Sequence, residues 1–188
     1  GVMILAAKVC GLLRDALITA SYGTGTSAAI AYETASKLPV TLFDLVIGGV
    51  VTAAFVPVYN ELLVRDGKEK ALSFAQSYTR FILIVTSVLA GIGIAFASPL
   101  VQLMAPGLDA STHALATGLT RILFPMIVFT GLAFTFVGYL QSMGEFRVPA
   151  VISLVANAIM VVYLLTLNRF FGIVGLACAM LLGWTAQA

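Results

Sequence analysis

The chain has 188 residues, 61% of them hydrophobic and only 10% charged, with a mean hydropathy of +1.07. Soluble domains carry about 25% charged residues, so a soluble globular protein is excluded and an all-α, polytopic membrane protein is predicted. The formal net charge of +2 is too small to suggest nucleic acid as a partner.

A membrane-crossing helix needs about 20 apolar residues, and six spans are predicted at residues 3–22, 27–63, 74–104, 113–143, 149–167 and 171–188. Together they make one transmembrane unit over residues 1–188, cut short at its C-terminal end. No signal peptide is evident, since the start has no basic segment ahead of its apolar run. The chain is expected to be part of a longer protein.

The first span is interrupted by Lys8 and by Arg14-Asp15, and Gly23-Thr24-Gly25-Thr26 then makes a tight turn. The second span carries Glu33, Lys37 and Asp44 and is too long for one straight crossing at about 1.5 Å per residue. Pro39 predicts a kink near residues 36–39, with Gly48-Gly49 and Pro57 as further soft points. Broken helices at membrane depth are tolerated where freed carbonyls face protein or a watery cavity, and they are a feature of transporter binding sites. Residues 64–70 form the most charged loop, and the third span that follows is uncharged from 81 to 108. Arg80, at the start of that span, is expected to snorkel to the cytoplasmic interface. A turn at Ala105-Pro106-Gly107-Leu108-Asp109 leads to the fourth span, which contains Arg121 and Pro125. Gly144-Glu145-Phe146-Arg147 precedes the fifth span, and the sixth starts near Phe171.

Basic residues mark the cytoplasmic side. With the Arg65, Lys68 and Lys70 loop inside, alternation puts the N-terminus and the 144–147 turn inside as well. The inner loops then hold four Lys or Arg and the outer turns, including 168–171, hold only Arg169. Small residues such as Gly91, Gly93, Gly131, Gly138, Gly172 and Gly175 crowd several spans and are read as close helix packing. Cys10 and Cys178 are read as small apolar packing residues.

Thirteen of the eighteen charges lie in residues 1–80. A charge at a helix centre in hydrocarbon costs about 2.5–3.5 kcal/mol on insertion scales, so each must pair, face a polar cavity or act on a substrate. Lys8, Gly11 and Asp15 share a helix face, and Gly11 leaves open space beside Lys8. Arg14 projects about 100° away from Asp15, so each is expected to look elsewhere for a partner. Lys8 and Arg14 on one inner helix would make a positive cavity suited to an anionic head group, especially a phosphate. Glu33 and Lys37 are an i,i+4 pair in the favoured order. These two and Asp44 are expected either to neutralise one another between the first two helices or to join the cavity. Asn157 and Gln141 are read as polar glue between helices, and His113 as a solvated residue at an outer helix start.

Catalytic arrangements are absent from the sequence. There is one histidine, no nucleophile elbow, no phosphate-binding loop and no metal-ligand spacing. Neither an enzyme nor a cofactor is expected.

An ordered set of motifs carries a resemblance. Gly11-Leu12-Leu13-Arg14-Asp15-Ala16, Tyr22-Gly23-Thr24-Gly25, Lys37-Leu38-Pro39 and Ala54-Phe55-Val56-Pro57 resemble the start of the MurJ (MviN) lipid II flippases of the MOP exporter superfamily. Ala105-Pro106-Gly107, Arg121-Ile122-Leu123-Phe124-Pro125 and Arg147-Val148-Pro149-Ala150 are similar to the same family in the same order. The resemblance covers nearly the whole chain. It implies the N-terminal lobe of a two-lobed transporter in the bacterial inner membrane, the missing C-terminal lobe being its partner. The implied activity is alternating-access transfer of an undecaprenyl-pyrophosphate-linked peptidoglycan precursor. The implied partners are that anionic lipid-pyrophosphate substrate and membrane lipid. Arg14 and Asp15 match the family's Arg-Asp pair, and Lys8 stands where many members have Arg. The second helix departs from the pattern at Ala29-Ile30-Ala31-Tyr32, at Val40-Thr41-Leu42-Phe43-Asp44 and at Ile47-Gly48-Gly49. A cavity Arg and an acid are therefore missing, and Lys37 or Glu33 is expected to compensate. The substrate-binding set is thus Lys8, Arg14, Asp15, Lys37 and Glu33. The alternatives are another MOP-superfamily transporter, exporting lipid-linked polysaccharide or drugs, and a membrane scaffold that transports nothing. A drug exporter would favour acidic cavity residues, against Lys8 and Arg14.

Overall fold

A computed structural model describes residues 2–48, 54–144 and 147–186, with side chains for 5–47, 54–144 and 151–186. Among these residues every regular element is helical, as expected. Helix α1 (Val2–Tyr22) ends where Gly23 takes a positive φ of 73°, a conformation glycine adopts without steric cost. Helix α2 (Ser27–Phe43) begins four residues later, and the Thr26 side chain caps it by accepting from the Ala29 amide at 3.2 Å.

Helix α2 does not break at Pro39. It runs through the proline to Phe43 and only then widens into a π-helical turn over Asp44–Gly48. Ala31, Ala35, Leu38 and Pro39 are all buried along α2, whose main neighbour is α6, so packing holds the helix across the missing hydrogen bond. Gly49 lies outside the described residues. Pro57 lies at the start of α3 (Val56–Arg65), directly after the π-helical Ala54 and Phe55.

The charged loop expected at 64–70 is mostly helix. Only Asp66 and Gly67 separate α3 from α4 (Lys68–Ala95), because Gly67 reverses the chain at φ 88°. Local pairs of Arg65 with Glu61 at 3.5 Å and Lys70 with Asp66 at 3.4 Å flank the turn. The third expected span is divided, α4 ending at Ala95 and α5 covering Ala97–Met104. Pro99 supplies the reason, since a proline ring strikes the carbonyl four residues before it, here that of Ala95.

Asp109 caps α6 (Ala110–Leu123), accepting from the Ser111 and Thr112 amides at 3.1 Å. The fourth expected span is bent at Pro125, α6 and α7 (Met126–Ser142) meeting at 41°. Helices α8 (Arg147–Thr166) and α9 (Asn168–Thr185) are joined by Leu167 alone. The turn expected at 168–171 is itself one helical turn, and the chain changes direction at Gly172, with φ 55° and ψ −146°.

Among the described residues, α4 and α9 are each long and apolar enough to cross a membrane, and the bent α6–α7 pair has the length and composition of a third span or of a re-entrant loop. Helix α1 has the length, at 21 residues, but carries Lys8, Arg14 and Asp15. Large apolar side chains such as Leu12, Ile84, Leu103, Leu165 and Phe170 point outward, as lipid-facing side chains must. Cys178 is exposed and Cys10 half-buried, so the packing expected of the pair is not made by Cys178.

The packing order does not follow the chain. Helix α1 lies on α8, α8 on α9, α9 on α6, α6 on α2, and α4 on α7. Two glycines permit this closeness. A Cβ on Gly93 would stand 2.0 Å from the Phe124 ring, and one on Gly131 2.8 Å from the Thr86 methyl. Gly91 faces open space, so the close-packing expectation fails there.

Candidate functional site

Helices α1 and α2 follow each other in sequence yet barely touch, because α1 rests on α8 and α2 on α6. The gap between them is a cavity of about 440 Å³. Asp15 and Thr19, one turn apart on α1, form one wall; Glu33, Ser36 and Lys37 on α2 form the other; Tyr32 is the buried floor. The Gly23-Thr24 turn closes one end.

Three of the five expected site residues therefore line one cavity: Asp15, Glu33 and Lys37. Lys37 Nζ donates to Glu33 Oε1 at 2.6 Å, as the i,i+4 spacing predicts, and both side chains stay more than 60% exposed. Ser36 Oγ donates to the Glu33 carbonyl at 3.1 Å, fixing the turn that carries the pair. Neutralisation between the first two helices is not made: among the described residues every ion pair lies within four residues of sequence. Asp44 is exposed and has no ion pair among them.

Arg14 corrects a stereochemical expectation. It pairs with its immediate neighbour, Nε and Nη2 donating to Asp15 Oδ1 at 2.9 and 2.7 Å. Adjacent Cα–Cβ bonds diverge, but the long arginine stem folds back along the helix far enough to bridge them. The remaining guanidinium nitrogen, Nη1, donates to Asn157 Oδ1 of α8 at 2.7 Å. Asn157 is thus the interhelical glue it was read as, and its Nδ2 in turn donates to the Ser153 carbonyl at 3.0 Å. Arg14 and Asn157 also line a second, smaller cavity of about 180 Å³ beside Met180 and Trp184. Arg14 therefore stands between the two openings, reaching one through Asp15 and the other directly.

Lys8 lies outside both cavities, exposed on α1 and without an ion pair among the described residues. Gly11 does not open space beside it. A Cβ there would sit 3.8 Å from Asn157 Nδ2, so Gly11 admits α8 rather than a ligand. The cavity is accordingly not simply positive: two carboxylates and one ammonium face it, with the Arg14 guanidinium alongside. His113 is also not a solvated surface residue. It is half-buried, with Nε2 3.2 Å from the Ser98 carbonyl, tying α6 to α5.

Sequence reasoning missed Thr19, Ser36 and Tyr32 as cavity residues. A signal existed, since Thr19 is four residues from Asp15, and Ser36 and Tyr32 flank Glu33 on the cavity side of α2.

The profile of the family described as "Lipid II flippase MurJ" matches residues 19–188. The lipid II flippase MurJ of Burkholderia cenocepacia is 32% identical over 155 residues, 81% of this chain and 30% of that protein. The protein described as "Probable lipid II flippase MurJ" in Buchnera aphidicola subsp. Baizongia pistaciae is 28% identical over 184 residues, 96% of this chain and 36% of its own length. A solved structure titled "Lipid II flippase MurJ, inward closed conformation" superposes with a TM-score of 0.82, covering 99% of this chain and 39% of that one at 23% identity; it has the same fold. The chain spans about a third of the length of these relatives, 36% for the Buchnera protein.

Proposed function

This chain belongs to the MurJ family of lipid II flippases, and we propose that it supplies one six-helix lobe of such a flippase in the bacterial inner membrane. The lobe, residues 1–188, works with a second lobe of the same protein. Together they carry the pyrophosphate-linked head group of a peptidoglycan precursor from the inner to the outer leaflet by alternating access. No covalent bond is made or broken, so the protein is a transporter and not an enzyme. The N-terminus is cytoplasmic.

The observation that supports this reading is the polar gap between α1 and α2, held open inside an otherwise apolar bundle. Its charges are balanced in a way that suits transient binding. Arg14 is held by Asp15, and Lys37 by Glu33. A pyrophosphate carries more charge than either carboxylate and matches the planar guanidinium fork, so it displaces Asp15 from Arg14 and Glu33 from Lys37. When the head group leaves, the carboxylates re-form their pairs at once. Each cation then never stands bare in a low-dielectric setting, and release meets less resistance than from an unpaired cationic pocket. Lys8 lies seven residues before Asp15 on α1, about 10 Å along the helix axis. With the N-terminus inside, it is the cation the head group meets before Arg14.

The test is complementation of a flippase-depleted strain by the full-length protein carrying Lys8→Ala, Arg14→Ala or Lys37→Ala. Loss of growth with normal membrane insertion is expected. Full growth from the Arg14 and Lys37 variants would overturn the assignment.

A further inference from the structure

Away from the charged gap, α4, α7 and Phe55, just ahead of α3, enclose a groove of about 380 Å³. Its walls are apolar, with Phe55, Leu72, Ala75, Phe136 and Tyr139, and its rim carries Gln76 and Arg80. The Phe55 wall is rigid: the ring is fully buried and lies 5.7 Å from Tyr59 and 5.9 Å from Phe74 in stacked arrangements. The groove is preformed and does not need a ligand to open it. Phe136, one of its lining residues, is exposed, and so are Phe81 and Ile84 farther along α4.

Arg80 is the anomaly. It is exposed, and among the described residues it makes neither an ion pair nor a hydrogen bond. The chain is uncharged from residue 81 to 108, so Arg80 marks the level at which α4 leaves the polar interface for hydrocarbon. A guanidinium at that level is attracted to an anion, and the anion present at that level of a bilayer is a lipid phosphate. Gln76 lies one turn before Arg80 on the same face and offers an amide donor to the same group. The Thr79 hydroxyl is already committed to the Ala75 carbonyl at 2.7 Å and adds nothing.

The apolar Phe55, Leu72, Ala75 and Phe136 walls beside a rim that carries Gln76 and Arg80 match the two parts of a phospholipid, its acyl chain and its phosphate. We propose that this groove binds an anionic glycerophospholipid, with its phosphate on Arg80 and Gln76 and one acyl chain along the Phe55, Leu72 and Phe136 walls. The Asp15, Glu33 and Lys37 gap is formed by α1 and α2, and the groove by α4, α7 and Phe55, so the two sites are occupied independently. This inference goes beyond head-group transport and does not rest on it.

The full-length protein in detergent, titrated with dioleoylphosphatidylglycerol or dioleoylphosphatidylcholine and read by native mass spectrometry, tests it. Wild type is expected to hold phosphatidylglycerol about tenfold more tightly than phosphatidylcholine, the value of one charge-assisted contact. Arg80→Gln and Gln76→Glu, both at exposed positions, are expected to abolish that preference, and Arg80→Lys to keep part of it. A phosphatidylglycerol carrying a photoreactive acyl chain should label the segment holding Leu72 and Ala75. An undiminished preference in Arg80→Gln would overturn the proposal, as would labelling elsewhere. So would displacement of phosphatidylglycerol by a lower concentration of farnesyl phosphate, which would assign the groove to an isoprenoid tail.

Discussion

Adding a single methyl group at Gly93 tests how tightly the helices are locked together. A Cβ there would stand 2.0 Å from one Phe124 ring carbon and 2.1 Å from the next, against an ordinary contact of about 3.5–4 Å. The ring must therefore move by about 1.5 Å or more. It has nowhere to go, because Phe124 is 0% exposed and sits at the α6–α7 bend beside Pro125. Overpacking of this kind costs about 1–3 kcal/mol. Gly91 is the matched control: it lies half a turn away on α4 and faces open space, so alanine there gains at most about 1 kcal/mol of helix propensity. The propensity gain is common to both positions, so equilibrium unfolding of the full-length protein in mixed detergent micelles should separate Gly93→Ala from Gly91→Ala by the overpacking cost, about 1–3 kcal/mol. The double variant Gly93→Ala with Phe124→Leu should recover part of the loss, since truncating the ring removes the clash and couples the two sites. Equal shifts for the two glycine variants, or no recovery in the double, would refute the close approach of α4 to the bend.

Two more outcomes follow from the polar contacts. Asn157→Leu keeps the side-chain size but takes the acceptor from Arg14 Nη1, leaving the guanidinium only Asp15. A hydrogen bond to a charged group contributes about 1.5–3 kcal/mol, discounted here because Arg14 is 30% exposed. The expected result is a fall in transport with normal insertion, rescued in part by Asn157→Gln; unchanged transport would remove Asn157 from the site. At Asp109, the Ser111 hydroxyl first and then the Thr112 hydroxyl and the amides of both residues hold the carboxyl well below the usual range. A depressed folded value means the cap stabilises above the ordinary carboxylate pKa of about 3.9 and is lost as pH falls through the folded value. Asp109→Ala should lower the unfolding midpoint at pH 7, with the gap to wild type closing below about pH 4; a gap independent of pH would refute the capping role.

Local features of the chain were readable in advance. The turns at Gly23 and Gly107 and the Glu33–Lys37 pair each depend on a few neighbouring residues whose backbone preferences are strong. Pro99 carried the same kind of signal for the end of α4 and was overlooked. What could not be read was pairing across sequence. The contact of α1 with α8 is set by which apolar faces fit. No local pattern reveals that Gly11 admits Asn157 or that the Arg14 guanidinium finds its second partner 143 residues away. Pro39 shows the same limit from the other direction. Its intrinsic tendency to kink was legible, but burial against α6 decided the outcome. The candidate site was therefore half legible: its residue types were visible, while the division of its charges between two openings was not.

The same separation has a consequence for how the protein is made. A ribosome adds about 5–20 residues per second, so Asn157 emerges on the order of ten seconds after Arg14 has entered the membrane. Throughout that interval α1 has no α8 to lean on and its guanidinium has no interhelical acceptor. Asp15, next in the chain, is present from the first moment. The adjacent pair thus delivers Arg14 to the bilayer already neutralised, and the newborn helix does not wait on its eventual neighbour to be tolerated in lipid.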